Sequence, residues 1–92
     1  MSQTVTRVPE RLRYELTVDD VLAGYVEFAI VDGATEAYHT QVLPEFGGRG
    51  LGGVLARGVL DDLAARPEAY RVTCPFLRSW VRKHPEYALS RA

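Results

Sequence analysis

The sequence predicts an α+β domain with an α/β-type core, in which an antiparallel β-meander is followed by β-α-β-α on one mixed sheet. Three observations carry this. Apolar residues alternate with polar ones, period two, in the first part of the chain. A glycine-rich stretch, Glu45 to Gly53, then holds five of the eight glycines and ends where helical spacing begins. Beyond that helix, a short alternating run and a Pro-initiated amphipathic run complete the pattern.

Ninety-two residues suggest one domain with one modest core. An apolar fraction of 47% is that of a globular chain rather than a disordered one. Basic and acidic residues, 11 against 12, nearly cancel, which argues against nucleic acid as a partner held by bulk charge. No apolar run approaches the roughly 20 residues of a membrane span, and no basic start precedes an apolar block at the N-terminus. With one cysteine, no internal disulfide is available. A cytoplasmic protein without a membrane partner is the expectation. Residues 1–10 are expected as a flexible tail, 11–88 as the domain, and 89–92 as a C-terminal tail.

In chain order, Leu12, Tyr14, Leu16 and Val18 alternate with Arg13, Glu15, Thr17 and Asp19, a strand with one buried face. Asp19-Asp20 is a turn. Val21 to Val31 is a second strand, with Leu22, Val26, Phe28 and Ile30 on one face. Asp32-Gly33 is a hairpin signal, because both central residues of a type I′ turn need positive φ. Thr35 to Leu43 is the third strand, ended by Pro44. From Leu51, the residues Val54, Leu55, Val59 and Leu63 recur at helical intervals until Arg66-Pro67. Arg57–Asp61 and Asp62–Arg66 can pair at i, i+4. Gly58, inside the helix, points to close packing on the sheet. Tyr70, Val72 and Cys74 alternate as a fourth strand, parallel to the third through a right-handed crossover. Pro75 opens a second helix with an apolar stripe of Phe76, Leu77, Trp80 and Val81, closed by His84-Pro85.

A glycine loop between a strand and a helix aims free backbone N–H groups at an anion, and the helix dipole favours negative charge there. This makes a phosphate cradle. It is not a P-loop, since Gly52-Gly53-Val54 stands where Gly-Lys-Ser/Thr is required. Nor does it suit the dinucleotide fold, whose sheet is parallel from the start.

Val42-Leu43-Pro44-Glu45-Phe46-Gly47-Gly48-Arg49-Gly50-Leu51-Gly52-Gly53-Val54-Leu55 resembles motif A of the GCN5-related N-acetyltransferases (GNAT), Arg/Gln-x-x-Gly-x-Gly/Ala. Gly50 and Gly52 match the spaced glycines, and Gly47 stands where the family usually has Arg or Gln. His39-Thr40-Gln41-Val42, Cys74-Pro75-Phe76 and Arg82-Lys83-His84-Pro85-Glu86-Tyr87 resemble the very small single-domain branch of that family.

The resemblance implies a compact GNAT-like domain in which Thr35–Leu43 and Tyr70–Cys74 are central parallel strands that splay apart. The pantetheine of acetyl-CoA would lie in the gap, against the backbone of Val42 and Leu43 and near Cys74. The pyrophosphate would meet the loop, with Gly47, Gly48, Arg49, Gly50, Leu51, Gly52 and Gly53 as cofactor-binding residues. No metal is expected. The acceptor would be an amine, a small molecule or a protein lysine, attacking the thioester directly. Candidate catalytic residues are His39, Gln41 and Cys74. Gln41 occupies a position where the branch commonly has Glu, and a carboxamide takes no proton at neutral pH. His39, on the same strand face, is either the base or an ordinary hydrogen-bonded residue. Cys74, ahead of a helix N-terminus, is either site-lining and reactive or a small buried hydrophobe. A non-catalytic acyl-CoA-binding module is the alternative. Exposed edges of a short sheet leave a homodimer open.

Overall fold

A computed structural model describes residues 2–91. The strands are β1 (Gln3–Val8), β2 (Arg13–Val18), β3 (Val21–Val31), β4 (Ala34–Val42), β5 (Tyr70–Val72) and β6 (Ser90–Arg91). They form one sheet in sequence order, antiparallel at every junction except β4–β5, which is parallel. The helices are α1 (Leu51–Ala65) and α2 (Pro75–Arg82). Both contribute to a single core with the inward residues of the sheet, among them Tyr14, Leu16, Val26, Phe28, Ala37 and Val72. The alternate residues, such as Arg13, Glu15, Glu27 and Glu36, lie on the other face, which no helix covers. This is the predicted α+β architecture, meander first and β-α-β-α second.

The turns behave as their residues require. Asp19 and Asp20 have φ of 50° and 68°, and Asp32 and Gly33 have 51° and 81°. Short polar side chains and glycine are what tolerate this region.

The structure corrects the expected tails. Residues 3–8 form β1, paired with β2 along its whole length. Ser2 and Asp19 close the hairpin, with Ser2 N donating to Asp19 Oδ1 at 2.9 Å and Asp19 N to Ser2 O at 2.8 Å. The run Thr4-Val5-Thr6-Arg7-Val8 has the β-branched character of a strand, and Gly58 receives it. A Cβ on Gly58 would sit 2.6 Å from Val5 Cγ2. The glycine that pointed to close packing is explained by the segment expected to be loose. At the other end, Ser90–Arg91 adds β6, and Val72 N donates to Leu89 O.

Two bulges re-phase the strands. Leu16 opposes Gly24 and Thr17 opposes Leu22, so Ala23 is extra and is buried together with Gly24. The inward face of β3 is therefore Ala23, Val26 and Phe28, while Leu22 is half-buried and Ile30 is exposed. The second bulge lies in β4, where Glu27 opposes His39 and Phe28 opposes Ala37, leaving Tyr38 unpaired.

Candidate functional site

β4 and β5 pair only over Thr35–Ala37 and Tyr70–Val72. The pairing stops where two donors, Thr73 N at 2.9 Å and Cys74 N at 3.1 Å, converge on the Ala37 carbonyl. From there the chain turns into α2 at Pro75, while β4 continues through the Tyr38 bulge to Val42. A gap opens between the two strands. Leu43 N donates to Ala23 O at 2.8 Å, so ladder alternation turns the backbone of Val42 the other way, toward that gap. The Val42 carbonyl accepts from Gln41 Nε2 at 3.0 Å. β5, expected to run from Tyr70 to Cys74, thus ends two residues early at Val72, and the parted strands are the central feature of the site.

The glycine loop stands at the C-terminal end of β4. Pro44–Phe46 makes one 3₁₀ turn, closed by Gly47 N donating to Pro44 O at 3.1 Å. Gly48 and Gly50 have φ of 77° and 71°, the left-handed region, and a Cβ on either would meet nothing within 4 Å. Gly50 is the N-cap of α1. No side chain caps the helix and its first turn holds no acid. The amides of Leu51, Gly52 and Gly53 therefore open the helix with its positive dipole end uncompensated. Leu51 is a core residue and offers only its backbone.

Not every glycine serves the opening. A Cβ on Gly52 would come 2.8 Å from Phe76 Cζ, and one on Gly53 would come 3.5 Å from Trp80 Nε1. Gly52 thus makes room for the tip of the Phe76 ring, while a Cβ on Gly53 would make only ordinary contact. Phe76 is exposed and Trp80 half-buried, so the buried residues of α2 are Leu77 and Val81. Arg49 lies with its guanidinium 5.2 Å from the centre of the Phe46 ring, beside the loop.

A groove of about 560 Å³ runs from Gly50 along α1, past Gly53 and Arg57, with Trp80 and His84 lining it from α2 and the turn after it. His84 stacks on Trp80, ring centroids 3.8 Å apart and planes 12° off parallel. His84 Nδ1 lies 2.9 Å from Trp80 O. Arg57 does not take Asp61 as an ion-pair partner. It donates instead to Tyr87 Oη at 3.1 Å and lies 5.5 Å from the centre of the Trp80 ring. A hydrogen bond to the Asp61 carboxylate, then desolvation, raises the Tyr87 phenol above its ordinary value. Trp80, expected in the apolar stripe of the second helix, lines this groove instead.

The structure divides the candidate catalytic residues between the two faces of β4. His39 opposes Glu27 and Gln41 opposes Tyr25, so the two share a face as alternation required, and the Tyr38 bulge makes it the uncovered one. The His39 ring is 6.4 Å from that of Tyr25. Cys74 is buried, at 2% exposure, on the helix-covered side of the gap. Its Sγ lies 3.1 Å from Thr40 Oγ1. Thr40 was not singled out from the sequence. Only the bulge, which re-phases β4 after Ala37, brings it to the thiol, and a bulge leaves no pattern in residue types. Among the described residues no cluster of His, Cys, Asp and Glu could hold a metal ion. No described helix is long and apolar enough to cross a membrane.

No curated protein matches the chain. The sequence profile of one family, described as GCN5-related N-acetyl-transferase, matches residues 13–90. It spans the chain from β2 to β6 and takes in the parted strands, the glycine loop and α2. The chain belongs to the GCN5-related N-acetyltransferase family.

Proposed function

We propose that this protein is an acetyl-CoA-dependent N-acetyltransferase that passes the acetyl group to an amine by direct attack on the thioester. The observation that carries the reading is a juxtaposition. The parallel strands part just beyond Ala37 and Val72, and the strand that continues leads through the glycine loop to a helix N-terminus with no side-chain cap. The donors present suit a pyrophosphate, and open space lies in front of Gly48 and Gly50. Acetyl-CoA, when bound, supplies the activated acyl carbon.

The chain does the rest. The backbone of Val42 lines the pantetheine path, whereas that of Leu43, expected to share the task, is turned to β3 with its N–H taken by Ala23 O. The amides of Gly48 to Gly53 hold the phosphates, with Gly47 contributing backbone alone. The Trp80–His84 stack and Arg57 offer an aromatic face and a cation to the nucleotide end. His39 takes the proton from the acceptor amine. The Thr40–Cys74 pair, 3.1 Å apart at the gap, is assigned the hydrogen bond to the departing sulfur. Gln41 orients the Val42 carbonyl and takes no proton.

One observation favours a second reading, an acyl-CoA-binding module without turnover. Gln41 is a carboxamide already turned onto the backbone, so no carboxylate stands at that place on β4. Calorimetric titration with acetyl-CoA tests both. Gly50→Asp places a carboxylate at the cradle without entering the core, and it should abolish a saturable signal seen with the wild type. Release of free thiol in the presence of an amine then separates enzyme from module. No binding by the folded protein would sink both.

A further inference from the structure

The uncovered face of the sheet carries Glu15, Glu27 and Glu36. Glu15 is held by Arg11 at 3.1 Å and by Arg13 at 2.7 Å. Glu36 is held by Arg71 at 3.2 Å and accepts from the Thr73 hydroxyl. Glu27 is half-buried and has no ion pair among the described residues. Arg13 stands directly across from it on β2. Yet the Arg13 guanidinium is engaged by Glu15 and lies 4.8 Å from the centre of the Tyr25 ring. On its other side Glu27 opposes His39, two residues beyond the point where β4 and β5 part. The acceptor must reach the gap, and the helices occupy the opposite face. A carboxylate partly withdrawn from water and lacking a partner favours a cation that can donate hydrogen bonds. An imidazole beside it can take a proton from that cation.

We propose that Glu27 is the residue that receives the acceptor, in its ammonium form, next to His39. This deepens the acetyltransferase reading and rests on it. The ammonium gives one proton to His39 and so to water. The nitrogen lone pair then forms the amide bond to the acyl carbon, the carbon–sulfur bond breaks, and a second nitrogen proton passes to the departing thiolate. The products are an amide and free thiol. A neutral aromatic amine gains nothing from Glu27.

The test is an NMR titration of the imidazole resonances of the full chain with n-butylammonium chloride, His39→Asn assigning the His39 signal. We expect a saturable shift of His39, absent with sodium chloride or n-butanol, and lost in Glu27→Gln. The His84 signal, from the other face of the sheet, stays unmoved and reports an intact fold. Persistence of the His39 shift in Glu27→Gln, or the same shift with sodium chloride, overturns the proposal. This readout does not depend on turnover, so failure of acetyl-CoA to bind would count against the acetyltransferase reading alone. Where turnover is seen, Glu27→Gln should raise KM for n-butylamine about five-fold, as expected for loss of a partly exposed ion pair. Its kcat and the KM for aniline should stay as they were, and equal effects on both amines would also overturn the assignment.

Discussion

The two ends of α1 are built in opposite ways. Near its C-terminal end, Asp62 accepts from Tyr14 Oη at 2.6 Å and from Arg66 Nε at 2.7 Å. Tyr14 Oη accepts in turn from Arg7 at 2.8 Å. Arg7 also donates to Thr35 Oγ1 at 3.3 Å and lies 4.5 Å from the centre of the Phe28 ring. The network ties β1, β2, β4 and α1 together through groups that satisfy one another. At the N-terminal end, a glycine cap leaves the first amides without a side-chain partner, and the neighbouring strands have parted. Unpaired backbone is costly where it is buried, so the fold confines it to an open end and closes the other. On the proposed reading, stability and cofactor recognition then fall on separate residues, and substitutions should separate them.

The largest effect should come from the middle of α1, where β1 docks on it. Gly58→Ala places a Cβ 2.6 Å from Val5 Cγ2 and 2.7 Å from Val5 Cβ. A branched carbon held in a paired strand cannot swing aside, so β1 must shift. We expect a net loss of about 2 kcal/mol in urea unfolding, despite a gain of about 1 kcal/mol in helix propensity. A stabilised Gly58→Ala would mean that β1 does not dock as described.

The Tyr14 hydroxyl gives the next effect. Burial first, and then the hydrogen bond to Asp62, push its pKa from 10.0 up to about 12. A raised pKa means that the folded state holds the neutral phenol more tightly than the unfolded chain does. That contribution is complete below pH 10 and is lost as the pH rises through about 12. It amounts to at most about 2–3 kcal/mol. Tyr14→Phe should cost about 1–2 kcal/mol at neutral pH, because Arg7 and Asp62 lose the group that joins them. It should also flatten the alkaline loss, which urea midpoints measured against pH would show. At acid pH the sign reverses. Burial raises the Asp62 pKa, but hydrogen bonds from Tyr14 and Arg66 outweigh it and hold the carboxyl below its ordinary value. Its contribution is present above the unfolded-state value and is lost as pH falls through the folded one. Tyr14→Phe should shrink that loss too. Unchanged pH profiles would remove Tyr14 from the network.

The contrast also marks what the sequence could tell. Strand alternation, the Asp32-Gly33 turn and the helical spacing from Leu51 sufficed for the meander and α1, because each depends on neighbours in the chain. The strand character of Thr4–Val8 was present but overridden by its terminal position and by Pro9. The glycine loop was legible because glycine is informative where backbone must stay bare. Thr40 beside Cys74, and Glu27 without a partner, were not legible. The first depends on a bulge that re-phases β4, and the second on where the Arg13 guanidinium goes. The separate duties of the glycines were likewise hidden. Gly50 keeps the helix end open, while Gly52 makes room for Phe76, so Gly52→Asp would push on α2, whereas Gly50→Asp meets no atom within 4 Å and carries only the strain of its positive φ.

The smallest effect should come at the open end, from Gly47→Arg. Gly47 has φ of −63° and ψ of 151°, a conformation any residue adopts. A Cβ there would meet Pro44 O at 3.3 Å, so the loop need yield only slightly. Stability should change by no more than about 0.5 kcal/mol. The new guanidinium, the residue type the family's loop usually carries at this place, adds one charge-assisted contact to a pyrophosphate. About a five-fold gain in acetyl-CoA affinity by calorimetry is expected, the equivalent of roughly 1 kcal/mol. If affinity is unchanged while Gly50→Asp abolishes binding, the cradle works through backbone amides alone and Gly47 is a neutral departure. If Gly47→Arg weakens binding in a folded protein, the phosphates do not lie against this loop, and the bare N-terminus of α1 needs another explanation.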